Sequence, residues 1–206
     1  MKVHGPLVET LLAGAFVCPV SDPENFRRLQ DDAQRDAVDT FVKPLNRRLV
    51  SSQEAGVFFL GYLEYDEDAR VKLSQQLNQT VQSLLPLLEW MQLVQEALGR
   101  DGALSAGDTI KVQEFVLKTE DNPSLRHRLQ QLASDRFFNS QAESVDAQAK
   151  QVFKRLREHG YVRQPHHERL YYEVTGKINY LIELVRFIRD EENLPVCEEA
   201  LQESLL

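Results

Sequence analysis

The 206-residue sequence predicts an α+β fold that is predominantly helical. Apolar residues recur at helical spacing through most of the chain, and only two pairs of short strand-like segments interrupt them. Each pair follows a group of helices and flanks a short loop, which is typical of a β-hairpin. Helices followed by a hairpin, in an order that occurs twice, predict two tandem winged-helix domains.

The first domain is predicted over residues 1–65 and begins with two short helices. Pro6 favours the first turn of a helix that ends near Gly14. Asp22, followed directly by Pro23, marks the start of the next helix, because an aspartate side chain accepts hydrogen bonds from the free amides of a first turn.

A third helix and a hairpin complete this domain. Residues 31–47 carry apolar side chains at helical spacing that predict one apolar face, and Pro44 is expected to kink or end the helix. The residues of that face are Val38, Phe41, Val42 and Leu45. The apolar and aromatic runs 48–51 and 57–62 flank a loop with Gly56 and therefore predict a hairpin.

The second domain is predicted over residues 66–192 and opens with a long linking segment. Residues 71–98 form one broad apolar face, interrupted by Pro86, which predicts a kink or two consecutive helices. Trp90 and Met91 are predicted to lie in the core, and a subunit interface is the alternative. The residues of the face, which we expect to lie mostly in the core, are Leu73, Leu77, Val81, Leu84, Leu85, Leu88, Met91 and Leu98.

The remaining elements lead to a second hairpin. Asp108 is predicted to cap a helix, and another helix follows the break at Pro123. A basic amphipathic helix over residues 144–159 then occupies the position of a recognition helix. The strand candidates 161–163 and 169–174 form the wing, and a last amphipathic helix closes the domain.

Charge is distributed unevenly along the chain. The net charge is −8, yet Lys150 to Arg189 contains nine Lys or Arg and four Glu. Residues 193–206 form an acidic tail that is predicted to be disordered. A concentration of basic residues of this kind predicts contact with phosphate, and the alternative is an ordinary solvated helix face. The candidate DNA-binding residues of helix and wing are Lys150, Lys154, Arg155, Arg157, Arg163 and Arg169.

Other function classes receive little support from the sequence. It has no phosphate-binding glycine-lysine loop, no GxGxxG and no HExxH, so no enzyme, cofactor or metal site is predicted. Its two cysteines, Cys18 and Cys197, are far apart and predict no disulfide framework. No segment is long and apolar enough to predict a membrane span, and we expect a cytoplasmic protein.

Four segments resemble the MukE and MksE proteins of bacterial condensin-like SMC complexes. The runs FVKPLNRRLV at 41–50 and EAGVFFL at 54–60 resemble the first winged domain of that family. The runs KRLREHGYV at 154–162 and LYYEV at 170–174 resemble the second recognition helix and wing. The resemblance extends from about residue 6 to 192 and is closer to MksE.

The resemblance implies a non-enzymatic subunit with several partners. Such proteins form homodimers, bind an MksF-like kleisin and, through it, an MksB-like SMC ATPase. They also contact double-stranded DNA without sequence preference, through the second winged domain. The implied protein is nucleoid-associated and serves chromosome organisation and segregation or plasmid defence.

A stand-alone winged-helix transcriptional regulator is the alternative function. It would read a palindromic operator with side chains that reach base edges. The overall acidic charge and the few Asn and Gln residues of the basic helix count against this function.

Overall fold

The computed structural model describes residues 5–192, and its N-terminal part contains three helices and a hairpin. Asp22 and Asp31 each accept a backbone N–H of the following first turn, which confirms the helix start predicted at Asp22. The elements are α1 (Gly5–Leu12), α2 (Pro23–Leu29), α3 (Asp32–Val42), a 3₁₀ turn (Lys43–Leu45), β1 (Arg47–Ser52) and β2 (Val57–Tyr62).

The predicted hairpin is confirmed, and one further bridge extends it. Strands β1 and β2 pair antiparallel from Arg47 opposite Tyr62 to Ser52 opposite Val57. Val17 bridges to Phe58, with N–H to carbonyl distances of 2.9 and 2.8 Å in the two directions. The segment between α1 and α2 therefore lies against the hairpin.

The apolar face predicted for the third helix is only partly buried. Val38 and Val42 are fully buried, but Phe41 and Leu45 are each 52% exposed, so only two of the four residues of the apolar face belong to the core. The helix ends at Val42, and the 3₁₀ turn that contains Pro44 rotates Leu45 away from the direction that an α-helix would give it.

A single long helix, α4 (Glu67–Leu98), follows the hairpin. Asp66 caps its start and Gly99 ends it in the left-handed conformation. The helix continues through Pro86, so a division into two helices is wrong. Proline removes one backbone donor, and burial of neighbours such as Leu87 offsets that loss.

The part of α4 that precedes Pro86 lies largely outside the core. Leu77, Val81 and Leu85 are 44%, 56% and 65% exposed, so the prediction that the apolar face is mostly core is wrong for these three. Farther along, Trp90 and Met91 are buried at 0% and 7% exposure, which confirms that they belong to the core.

The C-terminal part consists of helices around a small antiparallel sheet. The strand order is β3-β5-β4, with Ile110 opposite Tyr172 and Val162 opposite Val174. The helix predicted from Asp108 begins instead at Val112, after the short strand β3. The elements are β3 (Thr109–Lys111), α5 (Val112–Glu120), α6 (Pro123–Ser134), α7 (Val145–Glu158), β4 (Val162–Arg163), β5 (Tyr171–Val174) and α8 (Gly176–Glu192).

The main core lies in this C-terminal part and is rich in aromatic side chains. The Phe153 ring stacks on Tyr172 at 5.0 Å and meets Trp90 and Phe115 edge-on at 6.1 and 5.9 Å. These four rings connect α4, α5, α7 and β5. Smaller clusters of buried side chains lie under the N-terminal hairpin.

Helix α8 joins the C-terminal part of the chain to the N-terminal part. The Gly176 N–H donates to the Cys18 sulfur at 3.2 Å, and Ser52 Oγ donates to a Glu183 carboxylate oxygen at 2.5 Å. Tyr180 of α8 packs on Phe59 with ring centroids 4.9 Å apart.

The fold is α+β and predominantly helical, as predicted. Its division at residues 65 and 66 and the assignment of two winged-helix domains stay predictions, although the order of helices and hairpin occurs twice. The predicted disordered tail, 193–206, lies outside the described residues. Within residues 5–192, no helix combines the length and the apolar character needed to cross a membrane.

Candidate functional site

Helix α7 owes its position to one buried face. Ser144 caps its first turn, and Val152, Phe153 and Leu156 are buried at 0–1% exposure in the main core. Gln148 is also buried and donates from Nε2 to the Ala142 carbonyl at 2.9 Å. Because the apolar side faces the core, the basic residues of the opposite side face solvent.

Four of the six candidate DNA-binding residues form one surface, which we name the basic stripe: Lys150, Lys154, Arg157 and Arg169. The first three lie on one face of α7 because they are separated by four and then three residues. Arg157 donates to Gln164 Oε1 at 2.7 Å, and Gln164 Nε2 donates to the Arg169 carbonyl at 3.1 Å. Gln164 thus joins the end of α7 to the wing, and the stripe continues from helix to hairpin.

Local acidic side chains accompany two lysines of the basic stripe. Lys150 Nζ lies 2.7 Å from Asp146, and Lys154 Nζ lies 4.0 Å from Glu158. Surface pairs of this kind contribute about 0–1 kcal/mol, so both ammonium groups can exchange these partners for phosphate at little cost.

The other two candidates, Arg155 and Arg163, lie away from the basic stripe. Arg155 donates from Nε to the Phe137 carbonyl at 3.2 Å and pairs with Glu158 at 3.0 Å. Arg163 donates to the Val20 carbonyl at 2.5 Å and lies 3.7 Å from Glu173. Arg163 therefore ties the wing to the N-terminal part of the chain.

A second feature is a cleft of about 1100 Å³ between the first hairpin, the first half of α4, and helices α7 and α8. One wall is aromatic, because Phe16 stacks on Phe59 at 5.0 Å and Tyr180 packs against both rings. Tyr65, which is 61% exposed, lies at its rim. We refer to this space as the cleft.

Lys177 is the most unusual charged residue of the cleft. Its Nζ donates to the His159 carbonyl at 2.8 Å and lies over the rings of Tyr161 and Phe16, at 4.7 and 5.3 Å from their centroids. No carboxylate oxygen among the described side chains comes within 4.0 Å of it. Burial lowers the pKa of this ammonium group from 10.5 to about 8.

The surroundings of the neighbouring His159 favour its neutral form. Burial, together with the positive charges of Arg155 and Lys177, lowers the pKa of His159 below its usual value of 6.5. The His159 ring packs on Phe137 at 4.8 Å. The lowered pKa reduces the positive charge that this histidine adds to the cleft.

Replacing Lys177 by methionine is expected to stabilise the protein at pH 7 by about 1–2 kcal/mol. The pKa difference between 10.5 and about 8 corresponds to at most about 3 kcal/mol, from which the lost hydrogen bond to His159 subtracts about 1. Urea unfolding of both proteins measures the difference.

The pH dependence of that difference follows from the lowered pKa. Between pH 8 and 10.5 the unfolded chain holds a proton on Lys177 that the folded chain has lost, so the wild type gains stability relative to the variant as pH rises. The advantage of Lys177→Met should therefore shrink by pH 9.5. An advantage that is constant or grows from pH 7 to 9.5 would contradict the buried-ammonium account.

The cleft was not predicted from the sequence. Its residues come from six separate segments, and no local pattern distinguishes Lys177 from other lysines of amphipathic helices. The histidines of the wing, His166 and His167, are exposed. Within residues 5–192, no group of three His, Cys, Asp or Glu side chains is arranged to hold a metal ion.

One protein family matches nearly the whole chain. The sequence model of the family described as Condensin complex protein MksE matches residues 2–186, a span that includes both hairpins, the basic stripe and the cleft. No curated protein matches the chain significantly.

Proposed function

Because the chain belongs to the MksE family of condensin complex proteins, we propose that it is the non-enzymatic subunit that binds the kleisin and DNA in such a complex. In this proposal the protein is a homodimer that binds an MksF-like kleisin and, through it, an MksB-like SMC ATPase. The ATPase supplies the energy of ATP hydrolysis. The complex acts at the nucleoid, in chromosome organisation and segregation or in plasmid defence.

The basic stripe is the observation that supports DNA contact most directly. It places four cations along one exposed surface that runs from a helix to the adjoining hairpin. Contacts from Lys and Arg to phosphates position a protein on a duplex but carry no sequence information. The stripe therefore fits binding that tolerates any sequence.

The glutamine side chains of α7 support the same conclusion. Asn and Gln side chains read adenine only when they reach base edges. Gln148 is buried and hydrogen-bonded to the Ala142 carbonyl, and Gln151 is half-buried. Gln148 is therefore not available to read bases, and Gln151 is the one remaining amide on the helix, which favours phosphate contact over operator recognition.

Reversing two charges of the basic stripe, with Lys154→Glu and Arg157→Glu, is expected to weaken DNA binding at least 10-fold at low salt. Each lost phosphate contact also makes the dependence of log Kd on log salt shallower by about 1, or by about 2 for the pair. Fluorescence anisotropy with a labelled duplex, repeated over a range of salt concentrations, measures both quantities.

A matched control changes the same amount of charge elsewhere. Arg28 and Lys72 are exposed and paired with local carboxylates, as Lys154 of the stripe is, but lie on α2 and α4. Reversing both should change DNA affinity by less than the stripe variant does. Equal losses of DNA affinity in the two variants would show a general charge effect. If the stripe variant also failed to bind the kleisin, the proposal that DNA and kleisin use separate surfaces would be contradicted.

A further inference from the structure

We propose that the cleft binds an extended acidic peptide segment of a partner, with a carboxylate seated at Lys177 and apolar side chains on the aromatic wall. Under the proposed function, on which this inference rests, that partner is the kleisin. The charge, the wall chemistry and the size of the cleft all fit such a segment.

The cleft has an excess of positive charge that the described residues leave without ion pairs. Arg48, Arg136 and Lys177 line it, and none of the three lies within 4.0 Å of a described carboxylate oxygen. Asp135 is the acidic residue that lines the cleft, and its carboxylate already accepts the Phe137 N–H at 2.7 Å. The complementary ligand is therefore anionic.

Lys177 adds an energetic reason for a carboxylate. Its ammonium group is desolvated and lowered in pKa, and its described contacts are one carbonyl oxygen and two aromatic rings. A charge-assisted hydrogen bond is stronger in such a site than in water, and it would offset the cost of burying the charge. A carboxylate placed beside the Lys177 ammonium group would form such a bond.

The walls favour a peptide over other anions. Three stacked or tilted rings, Phe16, Phe59 and Tyr180, form an apolar surface beside the cations. Along the α4 edge, glutamines recur every three residues and offer amide donors and acceptors to an extended backbone: Gln76, Gln79 and Gln82. An extended chain with acidic and apolar side chains would use both surfaces.

Size and chemistry count against two other occupants. The volume of about 1100 Å³ exceeds the range of about 300–1,000 Å³ that is usual for small-molecule sites. A DNA duplex presents phosphates and groove edges, so it would leave the aromatic wall without an apolar partner. The basic stripe, which has no such wall, is the surface suited to a duplex.

Site-specific photo-crosslinking in the reconstituted complex tests the proposal. A benzoylphenylalanine at position 65, in place of Tyr65 at the rim of the cleft, is expected to crosslink to a kleisin segment rich in Asp and Glu. The same group at position 117 serves as the control, because Leu117 is equally exposed, at 63% against 61% for Tyr65, but lies on α5 outside the cleft. Mass spectrometry identifies the crosslinked peptide.

Affinity measurements with Lys177→Met provide the second arm. This variant should bind the kleisin about 10-fold or more weakly, and a melting curve shows that it is folded. Crosslinks from position 65 to a basic or neutral kleisin segment, to DNA or to the acidic tail of this chain would overturn the proposal. So would a folded Lys177→Met protein with unchanged kleisin affinity.

The same experiment separates this inference from the proposed function. If the kleisin binds but neither crosslinks at the cleft nor responds to Lys177→Met, the cleft proposal fails and the proposed function stands. If the kleisin does not bind the wild-type protein at all, both fail.

Discussion

Replacing Phe153 by alanine is expected to lower the free energy of unfolding by about 3–5 kcal/mol. The Phe153 ring is fully buried and touches three other rings, those of Trp90, Phe115 and Tyr172. These contacts join four elements at the centre of the main core, and little flexible structure is nearby to fill the cavity. Urea unfolding followed by circular dichroism measures the loss.

Phe187 provides the matched control for this substitution. It is 60% exposed on α8, so Phe187→Ala removes the same atoms from a site in contact with water. We expect a change within about 0.5 kcal/mol. Similar losses for the two variants would contradict the placement of Phe153 at the centre of the core, and with it the position of the basic stripe on the opposite face of α7.

Replacing Gly176 by alanine is expected to destabilise the contact between α8 and the first hairpin by about 1–3 kcal/mol. A Cβ at this position would lie 2.6 Å from a methyl group of Val57, 2.9 Å from Cys18 Cβ and 3.3 Å from the Ala55 carbonyl oxygen. All three neighbours are buried at 3% exposure or less, so none can move into solvent. The clash therefore requires a shift of the backbone.

The shift should also reach the cleft, because Lys177 follows Gly176 directly and lines it. Gly102→Ala is the control, since a Cβ there meets nothing within 4 Å and the residue does not have positive φ. That substitution should be neutral or stabilising by less than about 1 kcal/mol. If Gly176→Ala matches Gly102→Ala in thermal unfolding, then α8 does not pack on the hairpin as described.

Local sequence signals predict the elements of this fold well. Asp22 caps a helix at a predicted helix start, and Asp66 caps one at the predicted domain boundary. Gly56 lies in the turn of the first predicted hairpin. Such signals act within a few residues along the chain, so they can be read without knowledge of the tertiary structure. The three-residue strand β3 has no such signal, because its pairing with β5 joins segments about 60 residues apart.

Tertiary contacts explain what the sequence does not predict. Periodicity identifies an apolar face but not whether another element covers it, so Leu77, Val81 and Leu85 are exposed where burial is predicted. The basic character of α7 and the wing suggests six candidates for DNA contact. Only the folded chain shows that Arg163 reaches back to the Val20 carbonyl and that Arg155 bonds the Phe137 carbonyl.

The cleft is the clearest case of this limit. Lys177 is one basic residue of a closing helix in the sequence, and its surroundings come from the N-terminal segment, the first hairpin and α7. Its buried ammonium group and the ring of Phe16 are separated by about 160 residues along the chain. No pattern within one segment predicts this contact.

Membership in a condensin complex is the central claim, and purification of the tagged protein from its own cells tests it most directly. Mass spectrometry of the co-purifying proteins should identify a large coiled-coil SMC ATPase and a kleisin, and a nuclease subunit in addition would indicate plasmid defence. Recovery of the tagged protein alone, at a wash gentle enough to keep weak partners, would contradict the account and favour a stand-alone regulator.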